Sequence, residues 1–217
     1  MKILMLISNY EREDMLKSLL NEINQSKHCI DYFIVDDHST YDISQYTEYY
    51  YRNEYNYGKE EYWKTFKYLL DYAKASDYDQ VIFSPNDFSN FDFDKIINIM
   101  EDLYNKQYIF NLINDGRNNC WNSPKMYKVN DNLFRSYFCD AGFFTNSETL
   151  SLLNIHSVPI SRFKRKDISS GVGQQLTNLI KRYRITCYHP AKSLCFHGDH
   201  ISTMHPLERK KNPLKSK

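Results

Sequence analysis

The chain has 217 residues, a length that fits one domain with a sizeable core or two small ones. Its 28 Lys and Arg nearly balance its 27 Asp and Glu, which argues against a dedicated nucleic-acid-binding protein, since such proteins usually carry a large basic excess. The five cysteines are scattered and no Cys-x-x-Cys pair occurs, so the sequence predicts free thiols in a reducing compartment. The N-terminal apolar run KILMLI is too short for a signal-peptide core or a membrane span, and we expect a cytoplasmic protein.

The first half of the chain alternates strand and helix patterns. Strands are predicted at 2–7, 31–37, 46–52 and 80–84. Helices are predicted at 12–24, 59–75 and 93–104. In the helix at 59–75, the spacing places Trp63 and Phe66 on the core side. This alternation predicts a mostly parallel central sheet with helices on its faces.

The second half shows shorter strand patterns around turns, which predict a small antiparallel extension. The strand patterns are KMYKV (125–129), LFRSYF (133–138), CDAGFF (139–144), RITCY (184–188) and SLCFHGDH (193–200). A helix is predicted at 147–154, with Ser147 as its N-cap, and another at 174–183.

Polar residues follow three of the predicted parallel strands. They are Ser8 and Asn9, then Asp36 and Asp37, then the run from Ser84 to Asp87. Ligands of parallel sheets bind beyond the carboxyl ends of strands, so these residues are expected along one edge.

Several segments resemble motifs of the GT-A glycosyltransferases, in particular the family 2-like group. SNYERED (8–14) is similar to that group's Pro-x-Tyr-Asn-Arg opening without the proline, and VDDHSTYD (35–42) to its Val-Asp-Asp-Gly-Ser-Thr-x-Asp. Residues 56–88 are similar to its Asn-x-Gly, helix, strand and Asp-x-Asp. CDAGFF (139–144), SGVGQQLTNLI (170–180) and CFHGDHIS (195–202) follow in the order of its acceptor region, C-terminal helix and metal-binding histidine.

The resemblance implies an α/β fold of GT-A type, the fold of nucleotide-diphospho-sugar transferases. A single domain is expected over residues 1–205, with a nucleotide-sugar-binding half at 1–105 and an acceptor-binding half at 106–205; residues 206–217 would be a basic tail or linker. The implied activity is that of a hexosyltransferase. It would move a hexose or deoxyhexose from a UDP-sugar donor to a hydroxyl of a glycan or glycoprotein acceptor, with the assistance of a metal ion.

The resemblance and the side-chain chemistry together assign residues to the donor. The nucleotide-sugar-binding set is Ser8, Asn9, Arg12, Asp36, Asp37, Lys59, Asn86 and Arg165. A carboxylate at a strand end can accept hydrogen bonds from uracil or ribose. The structural alternative is that Asp37 caps the next turn through its side chain.

Asp87 stands where the family has Asp-x-Asp, with Pro85 and Asn86 in the place of other acids. The resemblance implies a divalent cation, Mn²⁺ or Mg²⁺, held by Asp87, the diphosphate and His197. Two alternatives remain at this point. One is a metal-independent mode that relies on Lys59 or Arg165, and the other is a zinc site built from Cys195, His197 and His200.

Catalysis by inversion needs a carboxylate base near the anomeric carbon, and Asp167 and Asp140 are the candidates. Each has a structural alternative: Asp140 as a turn residue, and Asp167 as a helix cap or as a partner of Arg165. Trp121 is the candidate for stacking on an acceptor sugar.

Two other functions compete with the glycan transferase. Basic C-terminal segments favour DNA as the acceptor of a base-modifying transferase, and the near-zero net charge opposes it. The thinned acidic motif favours a non-catalytic module that binds nucleotide or carbohydrate. The abundance of Tyr, Asn, Ile and Lys is typical of an AT-rich genome, such as a viral one.

Overall fold

The computed structural model of the protein describes residues 1–114, 127–139, 142–156 and 171–197, apart from the side chain of Lys59. The strands are β1 (Ile3–Asn9), β2 (Ile30–Asp36), β3 (Tyr50–Arg52), β4 (Gln80–Pro85), β5 (Phe88–Ser89), β6 (Tyr108–Asn111), β7 (Tyr127–Asn130), β8 (Leu133–Ser136), β9 (Phe143–Asn146), β10 (Thr186–Pro190) and β11 (Phe196–His197). The helices are α1 (Glu13–Gln25), α2 (Gly58–Ala75), α3 (Phe93–Asp102), α4 (Ser147–Leu152) and α5 (Val172–Tyr183), with a 3-10 turn at Ile43–Gln45.

A central sheet organises the described residues. Its strand order is β3-β2-β1-β4-β9-β6-β10-β8-β7. All of these strands run in one direction except β9 and β8, which are antiparallel to their neighbours. A separate small sheet pairs β11 with β5 in antiparallel fashion. The predicted mostly parallel sheet with a small antiparallel extension is confirmed.

Both faces of the sheet are covered, and β1 shows how. Ile3, Met5 and Ile7 join one hydrophobic cluster, while Leu4 and Leu6 join the other. The first cluster packs the sheet against α1 and α3, and the second packs it against α2, α4 and α5. A strand buried on both faces needs a continuous apolar run, which is why KILMLI lacks polar alternation.

Most predicted elements appear close to their expected places, with several corrections. The strand β6, Tyr108–Asn111, is not among the predicted elements. The predicted strand at 46–52 is only Tyr50–Arg52, and CDAGFF is a strand only from Phe143. Trp63 is partly buried beside the core, whereas Phe66 is fully buried, as expected.

The predicted N-cap of α4 was wrong by one residue. Asn146 is the cap: its backbone is extended and its side-chain oxygen accepts from Thr149 N at 3.0 Å, so Ser147 is already helical. Elsewhere, within the part of the chain that the structure describes, no helix is both long and apolar enough to cross a membrane. The predicted tail at 206–217 lies outside the described residues.

Candidate functional site

The carboxyl ends of three neighbouring parallel strands meet at one edge of the sheet. β1 pairs with β2 so that Asn9 lies opposite Asp36, and with β4 so that Ser8 lies opposite Pro85. Asn86 and Asp87 follow Pro85 directly. The structure therefore brings together the strand-end residues that were expected to share an edge, and we call this group the strand-end cluster.

Asn9 links the three strand ends through its side-chain amide. Its Nδ2 donates to Asp36 Oδ1 at 2.6 Å, and its Oδ1 accepts from Asn86 Nδ2 at 2.7 Å. The Tyr41 hydroxyl also donates to Asn9 Oδ1 at 3.0 Å, and burial raises the pKa of Tyr41 to about 12, so its proton stays in place. Asn9 and Asn86 are buried, so their satisfied hydrogen bonds form a rigid floor under the site.

Asp36 belongs to that floor. Its carboxylate is fully buried and accepts from Asn9, from Ser39 N at 3.1 Å and from Ser39 Oγ at 2.5 Å. Arg52 Nε lies 3.7 Å from Asp36 Oδ2 and supplies a compensating positive charge. These contacts fold the loop after β2 back onto β1, and contact of Asp36 with a nucleotide stays a prediction.

Asp37 holds the start of α2. One carboxylate oxygen accepts from Asn53 Nδ2 and Tyr57 N, both at 2.8 Å, and the other accepts from Gly58 N at 2.9 Å. The negative charge lies at the positive end of the α2 dipole, which stabilises the helix. The side chain is 7% exposed. The structural alternative of a capping role therefore has direct support, but the cap serves α2 rather than the turn after β2.

The loops beyond β1 and β2 contain unusual backbone conformations. His38 has φ 62°, Glu11 φ 52° and Arg12 φ 60°, all in the left-handed region that residues with a Cβ adopt at a cost. His38 stands where the motif that VDDHSTYD resembles has glycine, and its Nδ1 lies 3.1 Å from the carbonyl oxygen of Asn53. Strain of this kind persists only where surrounding contacts enforce it, and it is concentrated at functional sites.

Asp87, Arg12 and His197 form a cluster at the end of β4. Arg12 Nη1 lies 2.5 Å from Asp87 Oδ2, and His197 Nε2 lies 3.3 Å from the same oxygen. The pairing of β11 with β5 sets His197 opposite Phe88, and the two rings meet edge to face at 5.3 Å. Three distant chain segments thus build one charged cluster.

The electrostatics of Asp87 reflect its neighbours. Burial raises the pKa of this carboxyl, but the hydrogen bond and charge of His197 and the Arg12 guanidinium lower it by more. The net result is a pKa below its ordinary value of 3.8, so Asp87 is ionised at neutral pH. The pairing of a buried carboxylate with a guanidinium is what makes its burial tolerable.

The structure describes only some of the remaining predicted residues. Ser8 is partly buried, and its Oγ accepts from the Tyr62 hydroxyl at 3.3 Å. Lys59 lies in the first turn of α2, and its side chain is not described. Trp121, Asp140, Arg165 and Asp167 lie outside the described residues. The roles of all of these residues stay predictions.

The sequence did not predict four residues whose side chains contact Asn9, Asp36 or Asp37. They are Ser39, Tyr41, Arg52 and Asn53. Asn53 follows β3, so the strand-end rule applied to that strand would have found it. Nothing in the local pattern marks Tyr41, because its contact with Asn9 joins residues that are distant along the chain.

Two observations disfavour a zinc site built from Cys195, His197 and His200. Burial raises the pKa of the Cys195 thiol well above its ordinary value, which disfavours the thiolate that zinc binds. Across residues 1–114, 127–139, 142–156 and 171–197, no three His, Cys, Asp or Glu side chains are grouped so that they could hold a metal ion together. His200 lies outside those ranges.

A second surface lies at the other end of the sheet, along β7 and β8 and the end of α5. An open groove there is lined by four basic side chains, Lys128, Arg135, Lys181 and Arg184, together with Tyr127 and Tyr137. Lys181 and Arg184 also sit at the C-terminal end of α5, where positive charge stabilises a helix. We call this surface the basic groove.

Comparisons with solved structures identify the fold. No protein-family model and no curated protein matches the chain. A crystal structure of TarS from S. aureus is 16% identical, with a TM-score of 0.58 over 87% of this chain and 36% of that chain. A structure of S. aureus TarS 1-349 is 14% identical, with a TM-score of 0.58 over 92% of this chain and 61% of that one.

A crystal structure of a mycobacterial protein is 13% identical, with a TM-score of 0.54 over 92% of this chain and 68% of that chain. The chain spans between about a third and two thirds of the length of these structures. The identities are low, so the likeness concerns the architecture. The fold is of the GT-A type, as expected from the sequence.

Proposed function

We propose that the protein is a glycosyltransferase that moves a hexose or deoxyhexose from a nucleoside-diphosphate sugar to a hydroxyl of a glycan acceptor. The observation that carries the proposal is the strand-end cluster: side chains from the ends of β1, β2 and β4 join in one network at the edge where parallel sheets bind ligands. The GT-A fold supports it, because nucleotide-sugar transferases are built on this fold. UDP as the nucleotide, membership of the family 2-like group and a viral origin stay predictions.

The exposed fractions divide the cluster into a floor and a contact layer. Asn9, Asp36 and Asn86 are buried and hold the loops in place. Partly or fully exposed side chains above them are Ser8, Tyr10, Arg12, His38, Asp87 and His197. We assign donor contacts to this second group, since a ligand can touch a side chain only where solvent also reaches it.

The transfer requires one proton movement and one bond exchange. A base takes the proton of the acceptor hydroxyl, the acceptor oxygen bonds to the anomeric carbon, and the bond from that carbon to the diphosphate breaks to release UDP. Asp167 and Asp140 remain the proposed bases for an inverting reaction, and Trp121 the proposed acceptor contact; all three lie outside the described residues.

A divalent cation at Asp87 and His197 stays a prediction, and the described residues fit it poorly. Asp87 Oδ2 already contacts the Arg12 guanidinium at 2.5 Å and His197 Nε2 at 3.3 Å. A guanidinium beside a shared ligand repels a second cation. No step of the proposed transfer is therefore assigned to a metal ion.

The test combines binding with turnover. UDP, GDP and ADP are titrated into the protein by calorimetry, and UDP release from a panel of UDP-sugars is followed with and without glycan acceptors. We expect UDP to bind and at least one UDP-sugar to be hydrolysed slowly. Failure of all three nucleotides to bind, with no UDP released, would contradict the proposal.

A matched pair of variants locates the binding. Asp37→Asn changes a carboxylate just beyond the carboxyl end of β2, and Asp31→Asn changes an exposed one at the other end of the same strand. We expect the first to weaken UDP binding at least about tenfold, equivalent to about 1.4 kcal/mol, because it weakens the cap that holds the start of α2 at this edge, and the second to weaken it by less than about twofold. Melting curves of both variants show whether a loss of binding is a loss of folding.

The basic groove favours DNA as an alternative acceptor, because four cations line it. Retention on duplex DNA that falls steeply with salt, and that Lys181→Gln with Arg184→Gln abolishes, would support a base-modifying transferase.

A non-catalytic module would bind UDP and release none from any donor. One observation favours the non-catalytic module: Asp87, which the family resemblance makes a metal ligand, is paired with Arg12.

A further inference from the structure

We infer that Arg12 is a donor-binding residue that supplies the positive charge opposite the sugar-nucleotide diphosphate, in the place where a resident divalent cation was expected. The inference rests on the proposed function, since it concerns how the same site balances the charge of its donor. It also replaces the residues first considered for a metal-independent mode, Lys59 and Arg165.

Arg12 and Asp87 form a largely buried ion pair at the carboxyl edge of the sheet. Their side chains are 12% and 13% exposed, and Arg12 Nη1 lies 2.5 Å from Asp87 Oδ2. His197, 23% exposed, approaches the same oxygen at 3.3 Å. A metal ion at Asp87 would bind a carboxylate that is already paired with Arg12, and a largely buried guanidinium at that distance repels a second cation.

The backbone holds Arg12 in position. Arg12 is the N-cap residue of α1, with φ 60° and ψ 52°, and its carbonyl oxygen accepts from Met15 N at 3.0 Å and Leu16 N at 3.2 Å. A left-handed residue that closes the first turn of a helix buried on the sheet has little freedom to move. Arg12 is therefore presented by a rigid element, as a binding residue should be.

Asp87 is positioned from the opposite side. The β5–β11 pair places Phe88 against His197, and Gly142 lies so close that an added Cβ would stand 2.2 Å from the Phe88 ring. The carboxylate that orients Arg12 is thus fixed by packing. We assign Asp87 the role of a positioning residue for the guanidinium.

The chemistry of the guanidinium suits the diphosphate. It carries five N–H donors in a planar fork, so a bond to Asp87 and bonds to phosphate oxygens are compatible. A guanidinium is a permanent cation in proteins, as a partner of an anionic diphosphate should be. A lysine has the charge without the fork, which gives a way to separate the two properties.

The experiment measures UDP binding by calorimetry in EDTA and in Mn²⁺ for the unmodified protein, Arg12→Gln and Arg12→Lys. Lys17→Gln is the matched control, because Lys17 is a more exposed cation on the same helix, paired with Glu13. We expect the unmodified protein to bind UDP equally in EDTA and Mn²⁺, within about twofold. Arg12→Gln should weaken binding at least about tenfold, Arg12→Lys by an intermediate factor, and Lys17→Gln by less than about twofold.

Each other outcome overturns the inference. Loss of UDP binding in EDTA, with recovery in Mn²⁺, would give the role to a metal and leave the proposed function standing. Equal affinities of Arg12→Gln and Lys17→Gln would remove Arg12 from the donor. Absence of binding of UDP, GDP and ADP under every condition, with no UDP released from any donor, would contradict the proposed function itself. The EDTA comparison on the unmodified protein needs no variant, so it decides whether a metal ion is required even if Arg12→Gln does not fold, and Arg12→Lys against Lys17→Gln then tests Arg12 itself.

Discussion

Aspartates lie at the carboxyl ends of the two strands that flank β1, and their partners differ in kind: Asp36 ends β2 and Asp37 follows it, while Asp87 follows β4. The first two accept mainly from backbone N–H groups and from neutral Asn and Ser side chains, and they shape loops and a helix start. Asp87 instead contacts a guanidinium and an imidazole. The same residue type therefore has two roles at equivalent strand ends. Asp36 and Asp37 hold the backbone of the site in place, whereas Asp87 belongs to a cluster of charged side chains.

Removal of the scaffold carboxylate is expected to have the largest effect. Asp36→Ala removes the charged acceptor of three buried donors: the Asn9 amide, the Ser39 backbone N–H and the Ser39 hydroxyl. We expect the free energy of unfolding to fall by about 3 kcal/mol, because hydrogen bonds to a buried charge are worth about 1.5–3 kcal/mol each. Denaturant unfolding measures the change.

The control for that variant is Asp31→Ala, at the exposed end of the same strand, where a change within about 0.5 kcal/mol is expected. A loss below about 1 kcal/mol in Asp36→Ala would mean that the loop after β2 does not depend on this carboxylate.

Packing beneath the charged end gives the next effect. Gly142→Ala forces the Phe88 ring to move, since the added Cβ would stand 2.2 Å from its Cε2. We expect a loss of about 2 kcal/mol in the free energy of unfolding, within the range for overpacked cores. UDP affinity should fall as well, because Phe88 packs against His197 and adjoins Asp87.

Gly173→Ala provides the comparison, because its Cβ would meet only the Cys139 carbonyl oxygen at 3.2 Å and Gly173 lies within a helix that favours alanine. Equal destabilisation of the two variants would show that the contact with Phe88 is not special.

Loss of the charge on Asp87 is expected to be milder than loss of Asp36. Asp87→Asn keeps an acceptor for Arg12 but removes the carboxylate charge beside a guanidinium that is 12% exposed. We expect a loss of about 1.5 kcal/mol, below the range for breaking a fully buried ion pair. If stability instead rises, the pair is a functional feature held at a cost to the fold, which would sharpen the contrast with Asp36.

The pH dependence of that difference has a definite sign. Because the folded-state pKa of Asp87 is lowered below 3.8, its stabilisation is fully present above that pH and is lost as pH falls through the folded pKa. The gap in unfolding free energy between the unmodified protein and Asp87→Asn should therefore be larger at pH 5 than at pH 3, and it should shrink as pH falls below about 3.8. A gap that widens in acid would show that the folded pKa is raised.

The two ends of the site also show which features can be predicted from the sequence. Apolar runs such as KILMLI and strand ends rich in Asp and Asn predicted the parallel sheet and the edge where its polar residues meet, since these depend on local pattern and on one topological rule. The hydrogen-bond and ion-pair partners of those polar residues could not be predicted from the sequence pattern. Asp37 caps α2, and Arg12 contacts Asp87, 75 residues further along the chain; both contacts depend on how loops close in three dimensions.

Short or shared signals failed for a related reason. β6 has four residues, all buried, and its polar Asn111 ends an apolar run too short to distinguish from a connection. Asn146 and Ser147 are both good N-cap residues, and only the backbone angles decide between them. His38 in a motif that resembles one with glycine was visible in the sequence, but its left-handed backbone was not.

His38 gives the smallest and most discriminating test of the two ends. Its φ of 62° means that glycine relieves a backbone cost that alanine keeps, while both substitutions remove the imidazole and its contact with the Asn53 carbonyl oxygen. We expect His38→Gly to be more stable than His38→Ala by about 1 kcal/mol. If His38 serves only the loop, both variants should bind UDP as the unmodified protein does. We expect instead that both bind it severalfold more weakly, because the imidazole is exposed beside the donor-binding edge, and calorimetry on the two variants separates the backbone effect from the ligand contact.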